Sequence, residues 1–464
     1  MKTFFLSLAI LLLSNATYAQ VELPNTISKS DKVYGLSKFW QEVHYNFVYL
    51  YKHDKTALEN EYRRLIDEVQ ETNNDYEYYR LLEKFCASLN DGHTDINYPE
   101  KVKNCITNAF GEYVFHVENI DNRAIITRIC VDKKDEIPIG SEVIEVNGMP
   151  TQQYLNKYVK PYVCSSTDHV RDNITTMRIF DAPIGTKFKI KIRKIDTNTD
   201  IVLNLTNEYP ENWDLYPDQK QRPRLEYKEI DNDITYLALN AFWDPKIIDL
   251  FDEKLPELKR AKRLIIDIRA NGGGSDGTAN YILAHLIQDS IMTTYKSRTR
   301  KHLPAYKAWA GGIQASDTIN MSSDEKEWYR DLVLISKDSL FHEFSSNSGE
   351  NTILQENRIV VPTVVLIGAY TASAAENFLI TADNQPHFTV IGERSCGSTG
   401  QPLFMDLPGE GSARICTKDN TYPDGRAYIG VGVIPDILVK RTVTDFVNNK
   451  DVVLDRAIEY LKDK

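Results

Sequence analysis

The chain has 464 residues, enough for two or three domains, and its 42% hydrophobic and 26% charged residues are those of an ordinary globular protein, not a disordered one. A formal net charge of -11 argues against nucleic acid or an anionic membrane surface as a partner.

Met1-Lys2-Thr3 and the apolar run Phe4 to Leu13 combine one positive charge with a stretch too short to span a bilayer. Ala16-Thr17-Tyr18-Ala19 then offers small residues for cleavage before Gln20. Residues 1–19 therefore read as a secretory signal peptide, and the mature protein is expected to be soluble and either periplasmic or extracellular. No cysteine follows the cut, so no lipid anchor is indicated, and no later apolar run is long enough for membrane insertion. Cys86, Cys105, Cys130, Cys164, Cys396 and Cys416 would then meet an oxidising compartment. Their pairing is open by sequence; Cys396 and Cys416, on neighbouring predicted strands, form one candidate bridge.

Residues 20–105 have a helical texture. Leu58, Tyr62, Leu65 and Val69 repeat at helical spacing, as do Tyr78, Leu82, Phe85 and Leu89, and the aromatic segment Leu36 to Tyr51 suits a further packed helix. The last helix stops at Asn90-Asp91-Gly92-His93-Thr94, where Asp-Gly is a turn signal. His93 thus lies on a loop just past a helix end. Such a histidine is either an idle surface residue or a base held still by a well-packed neighbour.

From residue 106 to 207 the pattern turns to strands. Tyr113 to Val117, Ala124 to Cys130, Lys187 to Ile195 and Ile201 to Leu205 alternate, and Gly140 to Gly148 reads as turn, strand and Asn-Gly hairpin. Tyr154-Leu155 and Val170 to Met177 can supply helices. A charged linker, Glu208 to Arg224, leads into a region that alternates strand and helix, so the fold class is α/β or α+β. Its predicted strands are Ile234 to Leu239, Arg263 to Ile268, Thr363 to Ile367, Thr389 to Gly392, Ala413 to Thr417 and Ala427 to Val433. Helices are expected at Ile247 to Leu258, Thr278 to Ile287, after Ser373 and at the C-terminus. Residues from about 290 to 356 look polar and irregular, as an insertion or a lid.

Three stretches carry chemistry. Ser373 follows a buried strand and opens a helix rich in small residues, a place where a serine either caps the helix or presents its Oγ beside free N–H groups. Asp267 to Ser275 puts Gly272-Gly273-Gly274 at the end of another strand. Neither a dinucleotide nor a P-loop pattern is present, and an oxyanion hole built from the N–H groups of Gly273 and Ala374 fits better. His93 is the candidate base. The histidines show no metal-ligand spacing, and neither a metal nor a cofactor is called for.

Six stretches together resemble the S41 serine peptidases, the tail-specific or C-terminal processing protease family. They are LNDGHT (Leu89 to Thr94), GSEVIEVNG (Gly140 to Gly148), LIIDIRANGGGS (Leu264 to Ser275), TASAAENF (Thr371 to Phe378), VIGERSCGSTG (Val390 to Gly400) and GVGVIPDI (Gly430 to Ile437). The resemblance implies a helical N-terminal region, a PDZ-like domain over 106–207, and a crotonase-like catalytic core over 208–464. One branch of the family uses a Ser–Lys dyad, but its lysine position is Ser398 here and no lysine lies between Ser373 and Lys418. The other branch, tricorn-like, uses Ser, His and an acid, which implies Ser373 as nucleophile and His93 as base. The branch often carries Glu where this chain has Ile429; Asp424 is the nearest acid and Asp91 a second candidate, though either can simply serve its own turn. The expected substrate is a peptide or an unfolded protein. The rival expectations are a non-catalytic carrier of peptides or lipophilic ligands on the same fold, and an acyl-CoA enzyme.

Overall fold

Five uncharged residues, Thr363–Ile367, form the strand at the heart of the molecule, buried along its whole length. It belongs to a six-stranded sheet in the order Leu225–Glu229, Ile234–Leu239, Arg263–Asp267, Thr363–Ile367, Phe388–Gly392 and Ile437–Leu438. The first pair is antiparallel and the rest are parallel. Alternate residues serve opposite faces. Leu237, Leu239, Leu264, Ile266, Val365 and Ile367 pack with Phe251, Ile282 and Phe378 from helices Lys246–Leu258, Asp276–Ala284 and Ala374–Ala382. Tyr236, Ala238, Ile265, Val364 and Leu366 instead pack on Val453, Ala457 and Leu461 of the terminal helix Val452–Lys462. A strand covered on both faces has no polar side to show, which is why these runs are continuously apolar. Each large aliphatic side chain so buried contributes about 1.5–3 kcal/mol.

The computed structural model describes residues 22–464 apart from 211, 220, 232, 313–314 and 346–347; the signal-peptide reading of residues 1–19 lies outside the described residues. The N-terminal region has three long helices, Lys29–Asn46, Lys55–Gln70 and Asp75–Ala87, capped by Ser28, Asp54 and Asn74. Leu58, Leu65, Val69, Tyr78, Leu82 and Phe85 are buried as the spacing predicts, and Tyr62 stacks on Trp40 at 4.9 Å. A short strand, Asp95–Asn97, then leaves this region and pairs with Gly411–Cys416, Asp95 standing opposite Arg414.

Residues 106–207 form a β-rich module. Its sheet runs in the order Asp200–Thr206, Lys187–Arg193, Glu142–Val146, Arg123–Cys130, Tyr113–Ile120, Ala109–Phe110. Phe188, Ile190 and Ile192 point into its core and the intervening lysines outward. Asn147 and Gly148 both have positive φ, as the tight hairpin to Met149–Pro150 requires.

Three expectations change. The described residues of 290–356 are not irregular: they contain helices Pro304–Ala310 and Ser323–Ser336, and the strand Lys296–Arg300, which pairs with Phe341–Glu343 and Asp419–Thr421. Residues 427–433 form turns with a single bridge from Ala427 to Thr421, because Gly430 and Gly432 take positive φ and break the extended run. All six cysteines are unbridged, and the Cys416 thiol faces the carbonyls of Thr399 and Lys418 instead of Cys396.

Candidate active site

In an open parallel sheet, the loops leaving the carboxyl ends of neighbouring strands gather on one edge, where ligands bind. Three such loops meet here: the glycine loop after Arg263–Asp267, the Ser373 turn after Thr363–Ile367 and residues 393–400 after Phe388–Gly392. The Ser373 turn is tied to the glycine loop. Thr371 Oγ1 donates to the Ile268 carbonyl at 2.9 Å, and Ala372 N–H to that of Asn271 at 3.1 Å.

Ser373 has φ 57° and ψ -124°, a conformation that costs a side-chain-bearing residue about 1–3 kcal/mol. The surroundings hold it there through its main chain. Its N–H is shared between the Ser398 carbonyl at 3.1 Å and Glu376 Oε2 at 3.2 Å, while its carbonyl accepts the Glu376 N–H at 2.8 Å. The helix start is thus secured without a side-chain cap from Ser373. At Gly273, φ is 97° and an added Cβ would lie 2.7 Å from Ser373 Cβ and 2.9 Å from Ala374 N, so only glycine lets this loop back the serine so closely.

The two predicted oxyanion donors differ in their present use. Among the described residues the Ala374 N–H has no protein acceptor, whereas the Gly273 N–H donates to Asn271 Oδ1 at 2.9 Å. An oxyanion would therefore share the second donor with Asn271.

His93 comes from the N-terminal region and is brought to this edge by the Asp95–Asn97 strand. Its Nδ1 lies 2.7 Å from Ser398 Oγ. Burial, and then the positive charges of Arg414 and Lys418, hold its imidazole down to about 4. Asp91 is fully buried, accepting hydrogen bonds from Thr94 Oγ1 at 2.6 Å and Ser166 Oγ at 3.2 Å, and it shapes the turn instead of touching the imidazole.

Asp424 is not part of this cluster. It is exposed and bound to Arg426, accepting from that residue's N–H at 2.9 Å and Nε at 2.7 Å, because residues 424–426 of this turn face solvent. Asp424→Asn is accordingly expected to leave peptide turnover unchanged, as measured by kcat/KM. Two residues that sequence reasoning passed over are central instead. Glu376 is fully buried; its Oε1 accepts from Ser395 Oγ at 2.5 Å and Gly397 N–H at 2.6 Å, and its Oε2 from Ser398 N–H at 3.1 Å as well as from Ser373. Burial pushes its carboxyl up to about 7 despite these donors. Its signal was the Ser-x-x-Glu spacing at a helix start. For Ser398 there was none beyond its place where the other branch has lysine.

Residues 233–439 match peptidase family S41. That match covers just under half of the chain. A carboxy-terminal-processing protease of Bartonella bacilliformis is 24% identical over 235 residues, which cover 49% of this chain and 44% of that one. The chain thus spans under half the length of that relative. Among solved structures, mature CPAF complexed with lactacystin superposes with a TM-score of 0.65 at 16% identity, covering 94% of this chain and 99% of that one. A putative peptidase from Parabacteroides merdae gives 0.51 at 17% identity, covering 94% and 97%. At such identities the likeness is one of fold, and it extends over nearly the whole chain.

Proposed function

We propose that this chain is an exported serine endopeptidase of the S41 family, hydrolysing peptide bonds of proteins or peptides through an acyl-enzyme on Ser373 with His93 as general base. The observation that carries the reading is a strained serine at a helix start, backed by a glycine loop and joined through Ser398 to a half-buried histidine from the other end of the chain. On this reading 20–105 is the helical region that supplies His93, 106–207 is PDZ-like, and 208–464 is a crotonase-like core.

His93 takes the Ser373 proton as Oγ attacks the carbonyl carbon of the substrate. The oxyanion that forms is held by the Ala374 N–H and by the Gly273 N–H shared with Asn271. His93 then gives its proton to the leaving amine, and water repeats the sequence on the ester. A cavity of about 610 Å³ beside Gly92, with charged residues such as Asp95 and Arg414 and apolar ones such as Ile174 and Phe404 in its lining, gives room for a polypeptide. Similarity to the Bartonella carboxy-terminal-processing protease supports a polypeptide substrate. No helix among the described residues is long and apolar enough to cross a membrane.

The test is turnover of an unfolded protein and a set of fluorogenic peptides by the mature protein and by His93→Ala. A general base must be unprotonated, so a histidine held near 4 is ready throughout the neutral range. The acid limb of kcat/KM is therefore expected near pH 4, below the ordinary imidazole value of about 6.5. Cleavage by His93→Ala at the parent rate would remove histidine from the mechanism.

A further inference from the structure

We propose that Ser398 is the positioning residue for His93, standing where a serine hydrolase ordinarily places an acid, and that Glu376 locks Ser398 and Ser373 into one frame. The inference rests on the peptidase reading above and names the third member that reading lacks.

An imidazole serves as base toward Ser373 only if its proton sits on Nδ1 and its Nε2 lone pair is free. Among the described residues, the ring of His93 has a single protein partner: Ser398 Oγ, at 2.7 Å from Nδ1. A hydroxyl oxygen that accepts from Nδ1–H selects that tautomer and fixes the ring plane, as a carboxylate would. What it cannot do is supply a negative charge to the imidazolium. The charges acting on His93 agree: Arg414 and Lys418 act on the ring as positive charges, and the nearby Asp91 carboxylate is bound to Thr94 and Ser166 instead of the imidazole.

Ser398 has little freedom to do anything else. Its side chain is buried, its N–H donates to Glu376 Oε2 at 3.1 Å, and its carbonyl accepts the Ser373 N–H at 3.1 Å. The same Oε2 takes the Ser373 N–H at 3.2 Å. One residue therefore holds the base by its side chain and the nucleophile by its main chain, and one buried carboxylate oxygen sets the spacing between them. Gly92 completes the arrangement. An added Cβ there would lie 2.8 Å from Ser398 Oγ, so the hydroxyl reaches His93 because the preceding residue has no side chain.

The experiment is long-range proton–nitrogen correlation on the mature protein labelled with 15N-histidine at pH 7, His93 being assigned by its loss in His93→Gln. Parent protein is expected to carry the proton on Nδ1. Ser398→Ala is expected to move it to Nε2 or to a mixture, with kcat lower by about 10²-fold and KM nearly constant. Gly92→Ala, which keeps the hydroxyl but turns it away, is expected to give the same tautomer change; it carries the test if Ser398→Ala does not fold. An Nε2 proton in the parent, or an unchanged tautomer in both variants, overturns the proposal. The tautomer is read without substrate, so this failure is distinct from failure of the peptidase reading, which Ser373→Ala decides.

Discussion

Ser373→Ala is expected to lower peptide cleavage by about 10⁵–10⁶-fold while leaving the thermal midpoint close to that of the parent. The asymmetry follows from how Ser373 is held. Every hydrogen bond that fixes its position runs through the main chain, to Ser398 and Glu376, and survives the loss of Oγ. The strain survives too, because alanine meets the same steric limits at φ 57°. Ser373→Gly is the informative companion. Glycine relieves about 1–3 kcal/mol of strain and returns part of it as chain entropy, so this variant should be about 1 kcal/mol more stable than Ser373→Ala and equally inactive. Fluorogenic peptide turnover and thermal unfolding measure the two effects. Parent-like cleavage by Ser373→Ala would mean that the nucleophile lies elsewhere.

Glu376→Ala is expected to be the most damaging single change in the core that does not touch substrate. It leaves one hydroxyl and two main-chain N–H groups facing a buried void, at about 1–3 kcal/mol for each donor left unsatisfied, while the Ser373 N–H keeps the Ser398 carbonyl. A total stability of about 5–15 kcal/mol does not absorb that comfortably. Glu376→Gln separates packing from charge: it fills the space but offers one acceptor oxygen and turns an NH₂ toward the remaining donors. Its thermal midpoint should fall less than that of Glu376→Ala, while turnover falls with both, because Ser373 and Ser398 lose their common reference. Full activity in a folded Glu376→Gln protein would show that the carboxylate is only a filler. Thermal unfolding and kcat/KM at neutral pH decide the case.

Much of this protein is legible in its sequence because local chemistry decides it. The uncharged run Thr363–Ile367 becomes a strand covered on both faces, and the lysine–aliphatic alternation at Lys187–Arg193 becomes a half-buried one. The Asn147-Gly148 pair makes a hairpin, and the helix preceding His93 stops before Asn90, which has positive φ. In each case, side-chain spacing and the φ demands of a few residues determine the backbone without reference to distant parts of the chain. The loop positions of Ser373 and His93, and the proximity of the glycine loop to a strand end, follow from the same local rules.

What acts on what was decided only in three dimensions. His93 meets Ser398 across 305 positions of sequence because Asp95–Asn97 pairs with Gly411–Cys416. Asp424 has the right chemistry for a third member and the wrong place, since it faces solvent and Arg426 claims it. The Gly273 amide lies beside the serine but points at Asn271. Cys396 and Cys416 remain unbridged. Periodicity reports which face of an element is buried; it does not report which distant element covers that face, or where a single N–H or hydroxyl points. Those directions are set by packing and strand pairing between segments far apart in the chain, and they turned a serine at the lysine position into the partner of His93.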